Sequence, residues 1–415
     1  MPCERETAHL AELADLAEVR RAPLDFGPAQ RLPNMPSARG AGLARLVEIS
    51  ANEWRALAER AIEPNGYYLP AWELAVNASA PGRTDVSALS AWSKANQNRP
   101  PRLIGLLPVV SLWRACRIPL PGLVGASPYG TLCTPLIDRD CAPEAVSRMI
   151  AEARSAGAHA LILFDASLNG AAMKAFADVL RQDGMQPQIL QSHYRACLDA
   201  RGGAEELLRD ALGGKKLKEL RRQRNRLAEH GAVRFDVARS PEAVDKAIEI
   251  FLMLEASGWK AKRGTALSQQ EGDAAFIRRA TRGLAETGQC EIVTLHVGDR
   301  PIAAAIVLRH LDRAFYFKLG IDEHFAKYSP GVQLTIDLTR HLCADVGLAK
   351  ADSTASADHP MINPIWRGRL KIGDILIPLR KNDPVVGLIY AALILRQRAR
   401  EFARRAVHLM RGRKA

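Results

Sequence analysis

The chain has 415 residues, 47% of them hydrophobic and 25% charged, which is the composition of a folded globular protein and excludes a disordered or collagen-like one. Its net charge of +13 is concentrated, since Lys215 to Arg226 carries +6 and Arg396 to Ala415 carries +7. The remainder is neutral, unlike a uniformly basic nucleic-acid binder, and the seven scattered cysteines (Cys3, Cys116, Cys133, Cys141, Cys197, Cys290, Cys343) suggest neither a disulfide framework nor a metal motif.

Residues 1–42 read as a loosely ordered leader, Pro/Gly-rich after a short helical pattern, with acidic residues near the start and no signal-peptide core. A first domain is expected over 43–200. Leu43 to Ile49 reads as a strand, Glu53 to Ile62 as a helix, and Val86 to Trp92 with Leu103 to Trp113 as a hairpin around Asn96 to Pro101. A Pro/Gly loop follows. Then come a helix Pro143 to Ala156, a strand His159 to Phe164, a helix over 170–183 and a strand Gln188 to Leu198.

A second domain is expected over 201–383. It opens on a basic helix, Ala204 to His230, followed by a strand Val233 to Ala238, a helix Pro241 to Gly258 capped by Ser240, and a helix Asp273 to Thr287. Cys290 to Val297 and Pro301 to Arg309 form a hairpin around Gly298-Asp299-Arg300. Phe315, Phe317, Leu319 and Ile321 alternate as a strand, and a helix starts at Ser329-Pro330-Gly331. Leu348 to Asp352 is one more strand. The two halves share an order of elements, so a duplicated α/β (α+β) architecture is expected, with the first copy degenerate.

The start of the helix at Ser329, Pro330, Gly331, Val332 and Gln333 is an expected anion site. Pro330 suits the first turn, Gly331 permits close approach, and the N–H groups of Val332 and Gln333 would face a phosphate with the helix dipole behind them.

The tail over 384–415 is a basic amphipathic helix. Its longest apolar run, Val385 to Leu395, covers about 16 Å as a helix and cannot cross a hydrocarbon core of roughly 30 Å. Its pattern suits peripheral contact with an anionic membrane, or docking on its own domain. The Lys215 to Arg226 run has no interleaved aromatic residue, so nucleic acid is not the expected partner.

Four runs, LRRQRNRLAEHGAVRF from Leu220, LEASGWKAKRGTAL from Leu254, FAKYSPGVQL from Phe325 and HPMINPIWRGRL from His359, resemble the CelD-like branch of the GNAT acyl-CoA N-acyltransferase superfamily. These are proteins of cellulose and exopolysaccharide biosynthesis, with a tandem GNAT architecture related to Fem-type transferases. The resemblance implies two tandem GNAT-like domains, each a mixed, mostly antiparallel sheet flanked by helices. It also implies acyl-CoA as co-substrate, no metal and a small-molecule or saccharide acceptor, while the scattered cysteines, read as reduced thiols, suggest a cytoplasmic place of work. It puts the CoA pyrophosphate on Ser329 to Gln333, where Lys327-Tyr328-Ser329-Pro330-Gly331-Val332 replaces the usual Gln/Arg-x-x-Gly-x-Gly/Ala. A catalytically silent binding module and an aminoacyl-tRNA-dependent transferase are the alternatives.

Acyl transfer to an amine needs a base, because an alkyl ammonium of pKa about 10.4 is almost wholly protonated at neutral pH. Glu255 and Asp322 are the candidate bases, and Tyr328 or Tyr316 the acid for the leaving thiolate. Trp259, Lys260 and Arg263 in a glycine-punctuated loop, Lys318 facing away from the apolar strand positions, and Asp352 and His359 around Ser353 to Ala357 are candidate substrate contacts.

Overall fold

The computed structural model describes residues 42–79, 85–95, 100–257 and 266–412. The expected leader before Gly42, the turn residues 96–99 and the candidate contacts Trp259, Lys260 and Arg263 lie outside the described residues.

Twelve described strands form one sheet: β1 Ser87–Trp92, β2 Leu103–Ser111, β3 Gly122–Gly125, β4 Leu136–Ile137, β5 Ala160–Ser167, β6 Gln188–Asp199, β7 Val233–Ala238, β8 Cys290–Val297, β9 Arg300–His310, β10 Arg313–Ile321, β11 Lys350–Asp352 and β12 Gly368–Pro378. Their order is β1-β2-β3-β5-β12-β6-β11-β10-β9-β8-β7, with β4 paired beside β2. Most neighbours are antiparallel, while β3 with β5 and β10 with β11 are parallel. The fold is mixed α/β.

The helices are α1 Ala51–Glu59, α2 Pro70–Ser79, the short α3 Leu112–Cys116, α4 Ala142–Ser155, α5 Ala171–Gln182, α6 Ala204–Ala228, α7 Pro241–Ser257, α8 Glu271–Ala285, α9 Pro330–Cys343 and α10 Pro384–Gly412. Ser240 caps α7 as expected, its hydroxyl accepting the Ala243 N–H at 3.2 Å. Gly213, at φ 71° and ψ 162°, kinks α6, a conformation that glycine adopts cheaply.

The helix Pro70–Ser79, the short helix Leu112–Cys116 and the strands β3 and β4 are not among the expected elements, and two further differences bear on the sheet. Leu46–Glu48 is a 3-10 turn, not part of a strand, with only Arg45 bridging to Ser87. The Glu48 carboxylate accepts the Arg45 N–H at 3.1 Å, a local bond that competes with the sheet ladder. The second is β12, which no local pattern announced. It pairs antiparallel with β5 through Ile372 to Pro378 and with β6 through Gly368 to Leu376. A strand from the 201–383 stretch thus lies between two strands of the 43–200 stretch, and one sheet runs through both.

Both faces of that sheet are covered. One core includes Trp54, Tyr67, Trp72, Phe251, Phe276, Phe315 and Phe317 and lies against α1, α2, α7 and α8. Across the sheet, Tyr316, Leu334, Leu338, Ile362 and Trp366 pack with Leu220 and Leu227 of α6. This explains why Ala314, Phe315, Tyr316 and Phe317 are all buried in succession, where a half-buried strand would alternate.

Candidate functional site

β10 and β11 are paired only over Arg313 to Phe315 and Lys350 to Asp352, after which the two strands part. Just past that point a bulge interrupts β10: Tyr316 faces Val307 and Lys318 faces Ile306, leaving Phe317 as the extra residue. A bulge resets the alternation of the strand. Phe315 and Phe317 belong to the α7 face, whereas Leu319 and Ile321 pack on the α9 face. The expected single apolar side Phe315-Phe317-Leu319-Ile321 is therefore split in two.

The same reset corrects the expected orientation of Lys318. Lys318 shares the face of Phe315, and its ammonium meets Glu255 Oε1 of α7 at 3.2 Å. Glu255 is 1% exposed, and its other oxygen accepts the Leu267 N–H at 3.0 Å. Gly320, two residues along on the same face, is what allows α7 to come this close. A Cβ there would sit 2.9 Å from the Glu255 nitrogen and 3.2 Å from the Phe251 carbonyl.

Asp352 stands at the parting itself, opposite Phe315. It forms an ion pair with Arg195 of β6, both side chains being sealed from solvent at 1% and 0%. Arg195 Nη1 also donates to the Thr131 carbonyl at 2.6 Å, while its buried Nε has no partner among the described residues. Thr354 closes the cluster, donating its hydroxyl to the Tyr316 carbonyl at 2.6 Å and its N–H to Asp352 at 2.9 Å. The Thr131 hydroxyl donates to the Tyr67 oxygen at 3.3 Å, and burial pushes the Tyr67 phenol up to about 12, so it stays protonated.

The open end of the split holds the remaining candidates. Asp322 caps the 3-10 turn Glu323–Tyr328 by accepting the His324 N–H at 3.0 Å, and it binds Arg300 at 2.7 Å. Burial works to raise its pKa, but the hydrogen bonds from His324 and Arg300 outweigh this and hold it below the ordinary carboxylate value. The Tyr328 hydroxyl lies 2.8 Å from His230 Nε2. Lys318 to Asp322 is about 13 Å of strand, so Glu255 and Asp322 do not face one reacting atom.

At the start of α9, Ser329 adopts the left-handed conformation at φ 55° and Pro330 opens the helix. The Gln333 N–H, expected to face an anion, bonds to the Ser329 carbonyl at 3.0 Å. The Gln333 side chain donates to the Leu220 carbonyl at 2.9 Å and fastens α6 along α9. The N–H groups of Gly331 and Val332 have no acceptor among the described residues. Gly331 is held for packing as well: a Cβ would lie 2.9 Å from Leu319 Cδ2 and 3.3 Å from Met361 Sδ. Two unpaired N–H groups, the helix dipole and the neighbouring basic α6 fit an anionic group, held at the surface of the turn.

The equivalent parting in the first half is filled. β3 and β5 pair only over Gly122 to Val124, and the following loop turns Cys133 back so that its sulfur would lie 2.2 Å from a Cβ at Gly125. An open hollow of about 410 Å³ lined by Arg224, Phe235, Val237, Asp337, Arg340 and His341 lies at the β7 edge, one turn along α6 and α9 from the Gln333–Leu220 contact.

Sequence reading brought out Glu255, Lys318, Asp352 and the α9 start, but not Arg195, Tyr67, Thr131 or Thr354. One signal was present for Arg195, a charged residue directly before the apolar run Ala196-Cys197-Leu198 that ends β6.

Residues 214–359 match the family described as the acetyltransferase (GNAT) domain. No curated protein matches the chain. Among solved structures, FemX superposes with a TM-score of 0.53 at 11% identity, covering 83% of this chain and 99% of that one. A tandem GNAT protein from the clavulanic acid biosynthesis pathway is similar at 14% identity over 82% of this chain and 98% of that one, with a TM-score of 0.39. Residues 214–359 thus match the acetyltransferase (GNAT) domain, within a mixed α/β fold that 83% of the chain shares with FemX.

Proposed function

We propose that the second half transfers an acyl group from a CoA thioester to an amine, with the acceptor carried on an envelope or exopolysaccharide precursor. The observation that carries this reading is the parting of β10 from β11 beside a bulge, with the Glu255–Lys318 pair on one wall and unpaired N–H groups at the α9 start. The thioester, when bound, supplies an activated carbonyl and a thiolate leaving group.

The chain's own residues supply the rest. Gly331 and Val332 N–H groups hold the pyrophosphate, and the basic face of α6 raises its local concentration. The N–H of Phe317, the extra residue of the bulge, is the donor assigned to the developing oxyanion. Glu255 accepts the amine proton, directly or through water, and Lys318, 3.2 Å from its Oε1, orients it. Asp352 is a positioning group: its pairing with Arg195 fixes the closed end of the split. Tyr328, tied to His230, borders the phosphate end.

The likeness of the four sequence runs to the CelD-like branch supports the polysaccharide acceptor. Calorimetry with acetyl-CoA and longer acyl-CoAs, followed by thiol release on adding amino sugars, tests the proposal. Binding with thiol release supports it. Binding without release under any acceptor favours a silent module, and no CoA binding with retention of tRNA favours the aminoacyl-tRNA route.

A further inference from the structure

α10 uses one side to dock and leaves the other bare. Val386, Ile389 and Leu393 are buried at 5%, 0% and 6% against the first half, and Gln397 donates to the Gln191 side chain of β6 at 2.9 Å. At about 100° per residue, the opposite side of the helix carries Leu388, Leu395 and Phe402, which are exposed at 59%, 69% and 75%. Ala391 and Ala399 fill the same stripe. Three large apolar side chains spaced seven apart, all in water, form a continuous ridge and not scattered surface apolars.

A second element reaches the same edge. Arg396 of α10 extends its guanidinium to Cys116 Sγ of α3 at 3.5 Å. One turn earlier on α3, Trp113 is 43% exposed, and the Arg117 guanidinium lies 5.9 Å from its ring centre. A tryptophan held at a water boundary beside arginines has the amphipathic character that suits a lipid headgroup layer. The charge agrees: Arg396 to Ala415 carries +7, and a polybasic segment is drawn to an anionic leaflet.

We propose that the exposed ridge of α10, together with Trp113 and Arg117 of α3, is a docking surface for an anionic phospholipid bilayer. The helix lies in the interface plane and does not cross it, since among the described residues no helix is long and apolar enough to span a membrane. Two separate elements then touch one surface, which fixes the orientation of the whole chain on the bilayer. The inference is independent of the acyl-transfer reading.

Flotation of the full chain with vesicles of phosphatidylcholine, with and without 30% phosphatidylglycerol, tests it. The expected result is binding to the anionic vesicles alone, weakened by salt. Phe402→Ser and Trp113→Ser are both surface changes that leave the fold intact, and each is expected to lower binding by about tenfold. Equal binding to neutral vesicles, no binding, or insensitivity to Trp113→Ser would each overturn the proposal. So would a concentration-dependent dimer abolished by Phe402→Ser, because the ridge would then be covered by a second copy.

Discussion

Lys318 on β10 and Glu255 on α7 form a 3.2 Å ion pair that exists only because a bulge turns Lys318 onto the helix side of its strand. Glu255 is nearly sealed, so water screens the pair little. Glu255→Gln keeps the shape and removes the proton acceptor. Its expected effect is a fall in kcat of about 10²- to 10⁴-fold at pH 7 with little change in KM for the CoA thioester. Lys318→Met should lower kcat as well, because Glu255 loses the ammonium that orients its carboxylate. Steady-state kinetics on both variants checks this, and a wild-type kcat in Glu255→Gln rules out the assigned role.

Gly320 sets the distance between α7 and β10. With a Cβ 2.9 Å from the Glu255 nitrogen, Gly320→Ala must push the helix backbone outward. The expected cost is about 1–3 kcal/mol in urea unfolding, with a larger proportional loss of kcat than of CoA affinity. Gly347→Ala, whose nearest neighbour is the Asp345 carboxylate at 3.3 Å, is the comparison variant and should change neither.

His310 clamps the two halves together. Its Nδ1 accepts the Asn65 N–H at 2.8 Å and its Nε2 lies 2.9 Å from the Ala58 carbonyl, which requires the neutral ring. Burial pushes its pKa down to about 4. With the folded value below the ordinary one of about 6.5, the stability this residue provides is present above pH 6.5 and is lost as pH falls toward 4. Calorimetric Tm should therefore drop over that window in the wild type. His310→Leu should start about 1–3 kcal/mol lower at pH 7.5, with the buried Asn65 N–H orphaned while the Ala58 carbonyl keeps the Ala61 N–H, and show a flatter acid slope.

Asp374 titrates in the opposite sense. Burial and then the neighbouring Asp165 raise its pKa to about 7, against the hydrogen bonds from the Asp165 N–H and Gln191. A raised carboxyl favours the folded state while protonated, so its contribution is complete below about pH 4 and disappears as pH rises through 7. Asp165→Asn removes the like charge. It should raise Tm at pH 8 relative to the wild type by a few degrees and leave Tm at pH 4 little changed. An unchanged difference between pH 4 and pH 8 would show that the two carboxyls are not coupled.

Local pattern was enough for elements whose burial follows a single period. The helices at 142–155, 171–182, 241–257 and 271–285 and the hairpin of β8 and β9 lie where the sequence puts them, within a few residues. The α9 start was legible too, because Pro330 and Gly331 act within one turn of backbone. The sequence by itself therefore determined the class of fold, many of the segments of regular structure and the position where α9 starts.

What only the tertiary structure decided depends on residues far apart in the chain. Arg195 and Asp352 are 157 positions apart, so no periodicity pairs them. β12 has no local mark of belonging between β5 and β6, because strand pairing is set by which edges remain open when the sheet assembles. The bulge at Tyr316 to Lys318 is a register event between two strands, and it alone placed Lys318 against Glu255. Spacing along the chain specifies faces, whereas the site arises from where those faces meet.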